Sequence, residues 1–450
     1  YGLNQRPQKA HPQMTSITAP SSPGDPVVRF FAGMGIHYAW VVAFVTFFAA
    51  LVAAGAVGSV GVMLLPLQME FGWTQAEISS ALAIRLALLG LVAPFAAALF
   101  IRFGLRPVMV ASLLLIAAGT GASIYMTALW QLVALWGVVV GLAAGLTALV
   151  MSATVATRWF ETRRGLVIGL LSAATAMGQL VFLPFMAWLV KADGWRTATL
   201  ALCVFYAVAV ALVVIFIRNR PSDVGLRPFG ASPDSPIAAP VTPQGNLFLA
   251  PFEALAVAIR KPIFWILAGS FFVCGASTNG LVQMHLIPMC GDYMIPATAA
   301  AGTLALMGGF NFVGTVASGW LTDRFNPRIL LMIYYGLRGL SLFYLVSTGF
   351  DSTSLLLFSI FYGLDWIATV PPTVKLTADA FGPARATLVF GWIFAAHQLG
   401  AGFAAYGAGF IRTELGSYSL AFQAAGILCI IAALAFLGSR RRVQQTPVAA

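Results

Sequence analysis

The chain has 450 residues, 60% of them hydrophobic and 9% charged, with a mean hydropathy of +0.90 and a formal net charge of +11. Soluble domains run at about 45–50% apolar and ~25% charged, which excludes an ordinary soluble enzyme; a disordered chain, which needs low hydrophobicity, is excluded too. The apolar residues come in long runs, not in alternation, so the fold class is an all-α polytopic membrane protein and not an outer-membrane barrel.

Residues 1–36 are polar and rich in Pro, Ser and Gln, without the basic-then-apolar layout of a signal peptide. They are expected to form a disordered cytoplasmic tail, and the start at Tyr1 instead of Met is expected of a shortened end. A membrane span needs ~20 mainly apolar residues. Twelve stretches qualify: 38–66, 78–101, 108–127, 129–156, 165–190, 197–217, 263–289, 296–321, 329–349, 352–378, 386–411 and 417–438. Six lie in a first bundle, 37–217, and six in a second, 263–438. Between them, 218–262 carries Pro221, Pro228, Pro233, Pro236, Pro240 and Pro243 and reads as a cytoplasmic linker. Its last part, 246–261, has the apolar and basic residues of an amphipathic helix lying on the membrane surface. A cytoplasmic tail, 439–450, follows the last span.

The positive charge sits in short loops, so it reports orientation and not nucleic-acid binding. With the N-terminus inside, nineteen Lys and Arg lie on the cytoplasmic side against three (Lys191, Arg196 and Arg412) opposite, which places both termini in the cytoplasm. Cys203, Cys274, Cys290 and Cys429 have no CxxC spacing and read as small packing residues; no metal site is indicated. Walker A and GxGxxG patterns are absent, so no cofactor is expected and energy must come from a gradient.

The chain repeats itself at an offset of 222 residues. Arg102, Phe103 and Arg106 fall on Arg324, Phe325 and Arg328, Gly141 on Gly363, Arg163 on Arg385, Gly169 on Gly391, and Gly178 on Gly400. Two duplicated six-helix halves explain this, and such halves hold substrate between them near the bilayer midplane.

Residues 319–324 read GWLTDR and lead to Asn326, Pro327 and Arg328. This resembles the G-x-L-x-D-R-x-x-x-R loop of the major facilitator superfamily, whose implied role is a charged cytoplasmic latch, here Arg102, Arg106, Asp323, Arg324 and Arg328. In the first-half copy Ile101 replaces the Asp, which implies a weaker latch there. The run 159–166, WFETRRGL, with Gly169 and Gly178, is similar to the signature that enters span five in the monocarboxylate transporter group and its bacterial relatives; Ala174 stands where a Gly is expected. His37–Trp40 (HYAW) and Gly194, Trp195 and Arg196 open spans one and six as in relatives. The animal carriers' Asp-x-x-x-Arg pair in span eight and Lys in span one are missing, so other residues would have to bind a carboxylate. The bacterial relatives imply the cytoplasmic (inner) membrane.

An ionisable residue inside a span costs at least ~2.5–3.5 kcal/mol, which makes each a functional candidate. Asp365, mid-span ten, has Ala143 as its repeat mate and is the candidate proton carrier; an Asp fixed by a neighbouring Arg would look the same. Pro371 and Pro372 behind it are expected to break the helix and free carbonyls. Arg85, in the outer half of span two, suits a carboxylate clamp, against the plainer reading of snorkelling to the surface; it could also pair with Asp365 in the empty site. Arg338, mid-span nine, reads as structural. His397 in span eleven suits proton relay or anion binding, or an interhelical hydrogen bond. In span seven, Asn279, Gln283 and His285 with the polar run 277–280 suggest a loosened helix at a substrate site, or interhelical glue. Trp366, with Tyr38, Tyr362 and Trp392, is a candidate for the cavity wall or for packing.

These features together describe a twelve-span, two-bundle secondary carrier, a monomer partnered by the lipid bilayer. It is expected to move a small organic anion, a monocarboxylate, with a proton by alternating access. The competing readings are a proton-driven exporter of amphipathic compounds, whose Gly-Pro run is missing from span five, a sodium-coupled carrier, and a non-transporting membrane sensor or scaffold.

Overall fold

The computed structural model describes residues 25–147, 149–232, 246 and 248–438. The expectations for 1–24, 233–245 and 439–450 lie outside the described residues. Every expected span is helical. The first four are Tyr38–Phe71, Gln75–Phe103, Leu105–Ala122 and Leu129–Trp159. A long helix, Arg164–Phe216, is followed by Pro262–Asp292, Ala297–Thr322, Pro327–Ser347, Ser352–Phe381, Pro383–Leu415 and Ser419–Gly438. These eleven runs hold twelve spans. Gly194, at φ 84° and ψ 168°, breaks Arg164–Phe216 into span five (164–193) and span six (195–216). Only glycine takes that conformation cheaply. At this turn Trp195 Nε1 and Arg196 both donate to Glu70 at the end of span one, at 2.7 and 2.8 Å.

Duplication explains the paired glycines, because each pair marks the same helix crossing in both halves. A Cβ on Gly141 would lie 3.0 Å from the Cα of Arg85 in span two. One on Gly363 would lie 3.0 Å from the Cα of Met307, the repeat mate of Arg85. Gly178 packs on Leu51 and Ala54 of span one, and Gly400 on Phe272 of span seven. Gly169 and Gly391 do something different, since they join the halves. Gly169 meets Thr315 and Gly319 of span eight, while Gly391 lies against Pro94 of span two, where a Cβ would be 2.6 Å from the Pro94 Cα.

The contacts of Gly169 and Gly391 that join the halves lie toward the end of the molecule that carries the linker and the Arg-rich loops, called here the basic face. Toward the opposite face fewer glycines meet a neighbour among the described residues. Span eleven still touches span two at Gln398 and Gly90, but Gly402, one turn on, faces open space, as do Gly302 and Gly308 of span eight. Leu399, Phe403, Tyr406 and Phe410 are correspondingly exposed.

Two expectations at the basic face need correction. Residues 26–33, expected to be part of a disordered tail, form the helix Pro26–Gly33, because Asp25 caps it through Val27 N (2.9 Å) and is itself held by Arg218 Nε at 2.8 Å. The linker helix is shorter than expected, Ala250–Ala258, and it packs on protein as well as presenting an apolar surface. Its Phe252 ring lies 5.8 Å from Phe95 of span two and 5.7 Å from Trp392 of span eleven. Trp392 Nε1 donates to the Pro251 carbonyl at 2.8 Å. Phe248, Leu249, Val257 and Ile259 stay exposed, as a helix at a membrane surface requires.

Two outcomes follow for this architecture. Gly169→Val overpacks the join between the halves and should lower the melting temperature in detergent by the equivalent of about 1–3 kcal/mol, whereas Gly302→Val, facing open space, should not; equal melting temperatures would contradict the assigned crossing. Arg218 holds the Asp25 carboxyl below its ordinary range, chiefly through the hydrogen bond between them. The tether is therefore complete above the ordinary carboxylate pKa of ~3.9 and fades as the pH falls through the lowered value. Protection of the 26–33 amides, measured against the unfolded-chain exchange rate at each pH, should be high at neutral pH and fall well below pH 4, and Asp25→Asn should be weakly protected at both.

Candidate functional site

Span ten is two helices end to end. Ser352–Asp365 stops, residues 366–369 form turns, and Val370–Phe381 restarts with Pro371 and Pro372 in its first turn. Proline lacks the N–H that would continue the ladder, so carbonyls are released inside the membrane, where no water can take them up. Side chains take them up here. Arg338 Nη2 donates to the carbonyls of Asp365 (2.6 Å) and Trp366 (3.0 Å), and Ser318 Oγ to that of Ala368 (2.5 Å). Asn311 Oδ1 accepts from Ile367 N at 3.1 Å and from Thr315 Oγ1 at 2.9 Å.

Arg338 also pairs with the Asp365 side chain, Nε to Oδ2 at 2.6 Å, with the guanidinium fully buried. The cation thus sits on the C-terminal end of a half-helix and on its last carboxylate at once, and both electrostatic contacts are favourable. Asp365 Oδ1, buried, has no partner. Among the described residues this is the one ion pair with a fully buried member; the others are Glu70–Arg196, Asp25–Arg218 and Asp292–Arg412. The fourth arm of the site is Cys274 of span seven. Arg338 Nη1 donates to its sulfur at 2.9 Å and Thr369 Oγ1 is 3.3 Å away; the backbone of His397 of span eleven lies against the neighbouring Gly275. His397 is buried between Phe271 and Phe394, its ring centroid 5.0 and 5.8 Å from theirs, and its Nδ1 has no partner.

Asp365 is held by a neighbouring Arg, the plainer of the two arrangements expected for it, and that Arg is Arg338, not Arg85. Arg338, expected to be structural, is the centre of the cluster, because a long side chain from span nine reaches the break in span ten. Arg85 is only 5% exposed, against span four at Gly141, so it does not snorkel to the surface. In span seven, Ala276–Val282 is a π-helical stretch that includes half-buried Asn279. Gln283 is exposed, and His285 Nε2 lies 3.0 Å from the Ala405 carbonyl with its ring 5.2 Å from Tyr418. Half-buried Trp366 stands at the break itself. The other aromatic candidates pack. Tyr38 donates to the Phe216 carbonyl at 2.6 Å, Tyr362 to that of Ser277 at 2.7 Å, and Trp392 to the linker helix.

At the basic face Asp323 accepts from the backbone N–H groups of Gly165 (2.7 Å) and Leu166 (2.9 Å), in the first turn of span five. It is an N-terminal cap supplied by the other half of the molecule, in a position where the helix dipole favours an anion. Lys375 of span ten donates to the Thr322 carbonyl at 2.6 Å, next to it. Arg324 stacks on Trp320, 3.9 Å from the ring centroid, and the backbone N–H groups of Arg106 and Arg328 bond Asn219 and Asn326. Arg102 lies in the last turn of span two. Sequence reasoning missed Cys274, Thr369, Asn311 and Lys375. Cys274, Thr369 and Asn311 are ordinary span residues by composition, and only the tertiary crossing gives them partners; Lys375 is an ionisable residue inside span ten that was passed over.

Two pseudo-symmetric six-helix halves around a broken, charge-bearing helix define a polytopic helical transporter. The chain belongs to the Major Facilitator Superfamily, whose pattern matches residues 46–404. It is 26% identical over 394 residues to Monocarboxylate transporter 13 of Rattus norvegicus, covering 86% of each chain. To the uncharacterized MFS-type transporter YcxA of Bacillus subtilis it is 23% identical over 413 residues, covering 91% of this chain and 95% of the relative. Its fold matches that of the human organic anion transporter MFSD10 (TM-score 0.71, 15% identity), covering 88% of this chain and 99% of that one. It also matches the proton:xylose symporter XylE (TM-score 0.67, 16% identity), covering 89% and 95%.

Removing one member of a buried pair strands the other, at about 3–5 kcal/mol, whereas replacing both with apolar groups is far milder. Arg338→Met should therefore lower the melting temperature strongly, and Arg338→Met/Asp365→Leu should recover part of the loss. A double variant less stable than either single would show that the pair is not the linked unit described. Asp323→Ala should cost about 0.5–2 kcal/mol as a lost cap, measured in the same way.

Proposed function

We propose that this protein is a secondary active transporter that moves a small organic anion, a monocarboxylate, together with a proton across the bacterial cytoplasmic membrane by alternating access. The observation that carries this reading is the buried Arg338–Asp365 pair at the break in span ten, with one carboxylate oxygen unused. An acid held in this way can take a proton on Oδ1 while its other oxygen keeps its place. The names of the relatives, monocarboxylate transporters, and of one fold neighbour, an organic anion transporter, support the substrate class.

In this mechanism Asp365 carries the proton and Arg85, from the other half, holds the carboxylate. Asn279, Gln283, His285, Trp366 and His397 contribute to the path and its lining. The basic face is cytoplasmic by the positive-inside rule, with both termini there, and the contacts between the halves at that face support reading this arrangement as the one closed to the cytoplasm. Asp323 on the first turn of span five is the latch, and Arg102, Arg106, Arg324 and Arg328 form its charged rim. Opening to the cytoplasm breaks the two Asp323 hydrogen bonds and separates Gly169 from span eight. The monomer is the working unit.

The test is uptake into reconstituted vesicles under an inward proton gradient, with lactate, pyruvate, acetate, an amino acid, a sugar and a lipophilic cation as a panel. Wild type should accumulate one carboxylate and Asp365→Asn should lose at least tenfold of the gradient-driven rate. Movement of the cation alone would replace this reading with the exporter, and equal uptake in the variant would make Asp365 structural.

A further inference from the structure

If Asp365 takes up a proton it becomes neutral, and Arg338 is then left buried without its carboxylate. An unbalanced guanidinium inside a span is costly, so a proton carrier in this position needs a second group able to take over the charge. Cys274 has the geometry for it. Its sulfur lies 2.9 Å from Arg338 Nη1, on the opposite arm of the guanidinium from the Asp365 contact, and 3.3 Å from the Thr369 hydroxyl. A thiolate is a soft anion that accepts such donors. Asp365 Oδ1 and His397 Nδ1, both buried without a partner, leave the cluster with room for a proton to move.

We infer that Cys274 and Asp365 share one labile proton around Arg338, so that the thiol is the guanidinium's alternate counter-charge and not a packing residue. The inference deepens the proton-coupled reading above and rests on it. In the exchange the S–H bond of Cys274 breaks, sulfur keeps the bonding pair and becomes thiolate, and the proton ends on Asp365 Oδ1, forming an O–H bond. The cluster's net charge is the same before and after, and Arg338 is balanced in both arrangements, first from span ten and then from span seven. The other titratable groups around it are Tyr334 and Tyr335 of span nine, Tyr362 of span ten, His397 of span eleven and Cys429 of span twelve. Tyr362 is committed to the Ser277 carbonyl. Because spans seven and ten both belong to the second half, the exchange moves negative charge between two interrupted helices within that half.

The test does not depend on transport. Infrared absorption in the S–H stretching region, with Cys274→Ala as the blank, isolates this thiol from Cys203, Cys290 and Cys429. Asn at position 365 imitates the protonated acid, so Asp365→Asn should lose at least half of the Cys274 S–H band seen in wild type. A band of equal size in both proteins, or absent from both, overturns the proposal. If Asp365→Asn folds poorly, the double variant Cys274→Asp/Asp365→Asn supplies the second reading. A carboxylate moved to span seven should restore the melting temperature and the monodisperse fraction toward wild type, and a double variant no better than Asp365→Asn also overturns the proposal. An intact infrared result beside absent proton-driven uptake would retain the shared proton and reject only the transport reading.

Discussion

A helix broken inside a bilayer releases carbonyls that no water can satisfy, and the second half of this molecule is arranged around that constraint. Pro371 and Pro372 interrupt span ten, and Arg338 is brought in from span nine to occupy the gap. Once a guanidinium is fully buried it needs negative charge around it, and Asp365 on the broken end supplies it. Cys274 fills the remaining arm, which ties span seven to the same point. Three spans thus share one electrostatic junction.

The first half has no counterpart, and the repeat shows why that matters. Asp365 stands against Ala143 and Arg338 against Ile116, while the glycines at the crossings match pair by pair. The scaffold is therefore duplicated and the charge is not. Backbone approach at Gly141 and Gly363 is a requirement of packing two helices closely, common to both halves. The Arg338 junction is an addition to one half only.

Much of the architecture was legible because it rests on composition and period. Twelve apolar stretches, the duplicated glycines and the proline break in span ten all leave a mark on the chain itself. The candidate site was legible only in part. Asp365 stood out as an acid in an apolar run, but its partner did not, since Arg338 is 27 residues away and only helix packing decides that span nine lies behind the break. Cys274 looks like any small span residue until the guanidinium is placed beside it. The Asp323 latch was visible as a motif, whereas its acceptor role toward backbone N–H groups of span five depends on how the halves meet. The linker helix was visible as amphipathic, yet its wedge between Phe95 and Trp392 is a tertiary fact.

The central claim is that Asp365 couples an anion to a proton, and proton flux tests it most directly. Vesicles loaded with the transported carboxylate, with equal pH on both sides, are diluted into carboxylate-free medium in front of a pH electrode. The account predicts that carboxylate efflux carries protons outward and acidifies the weakly buffered medium in wild type, and that Asp365→Asn does not. Carboxylate efflux with no accompanying pH change in wild type would contradict it.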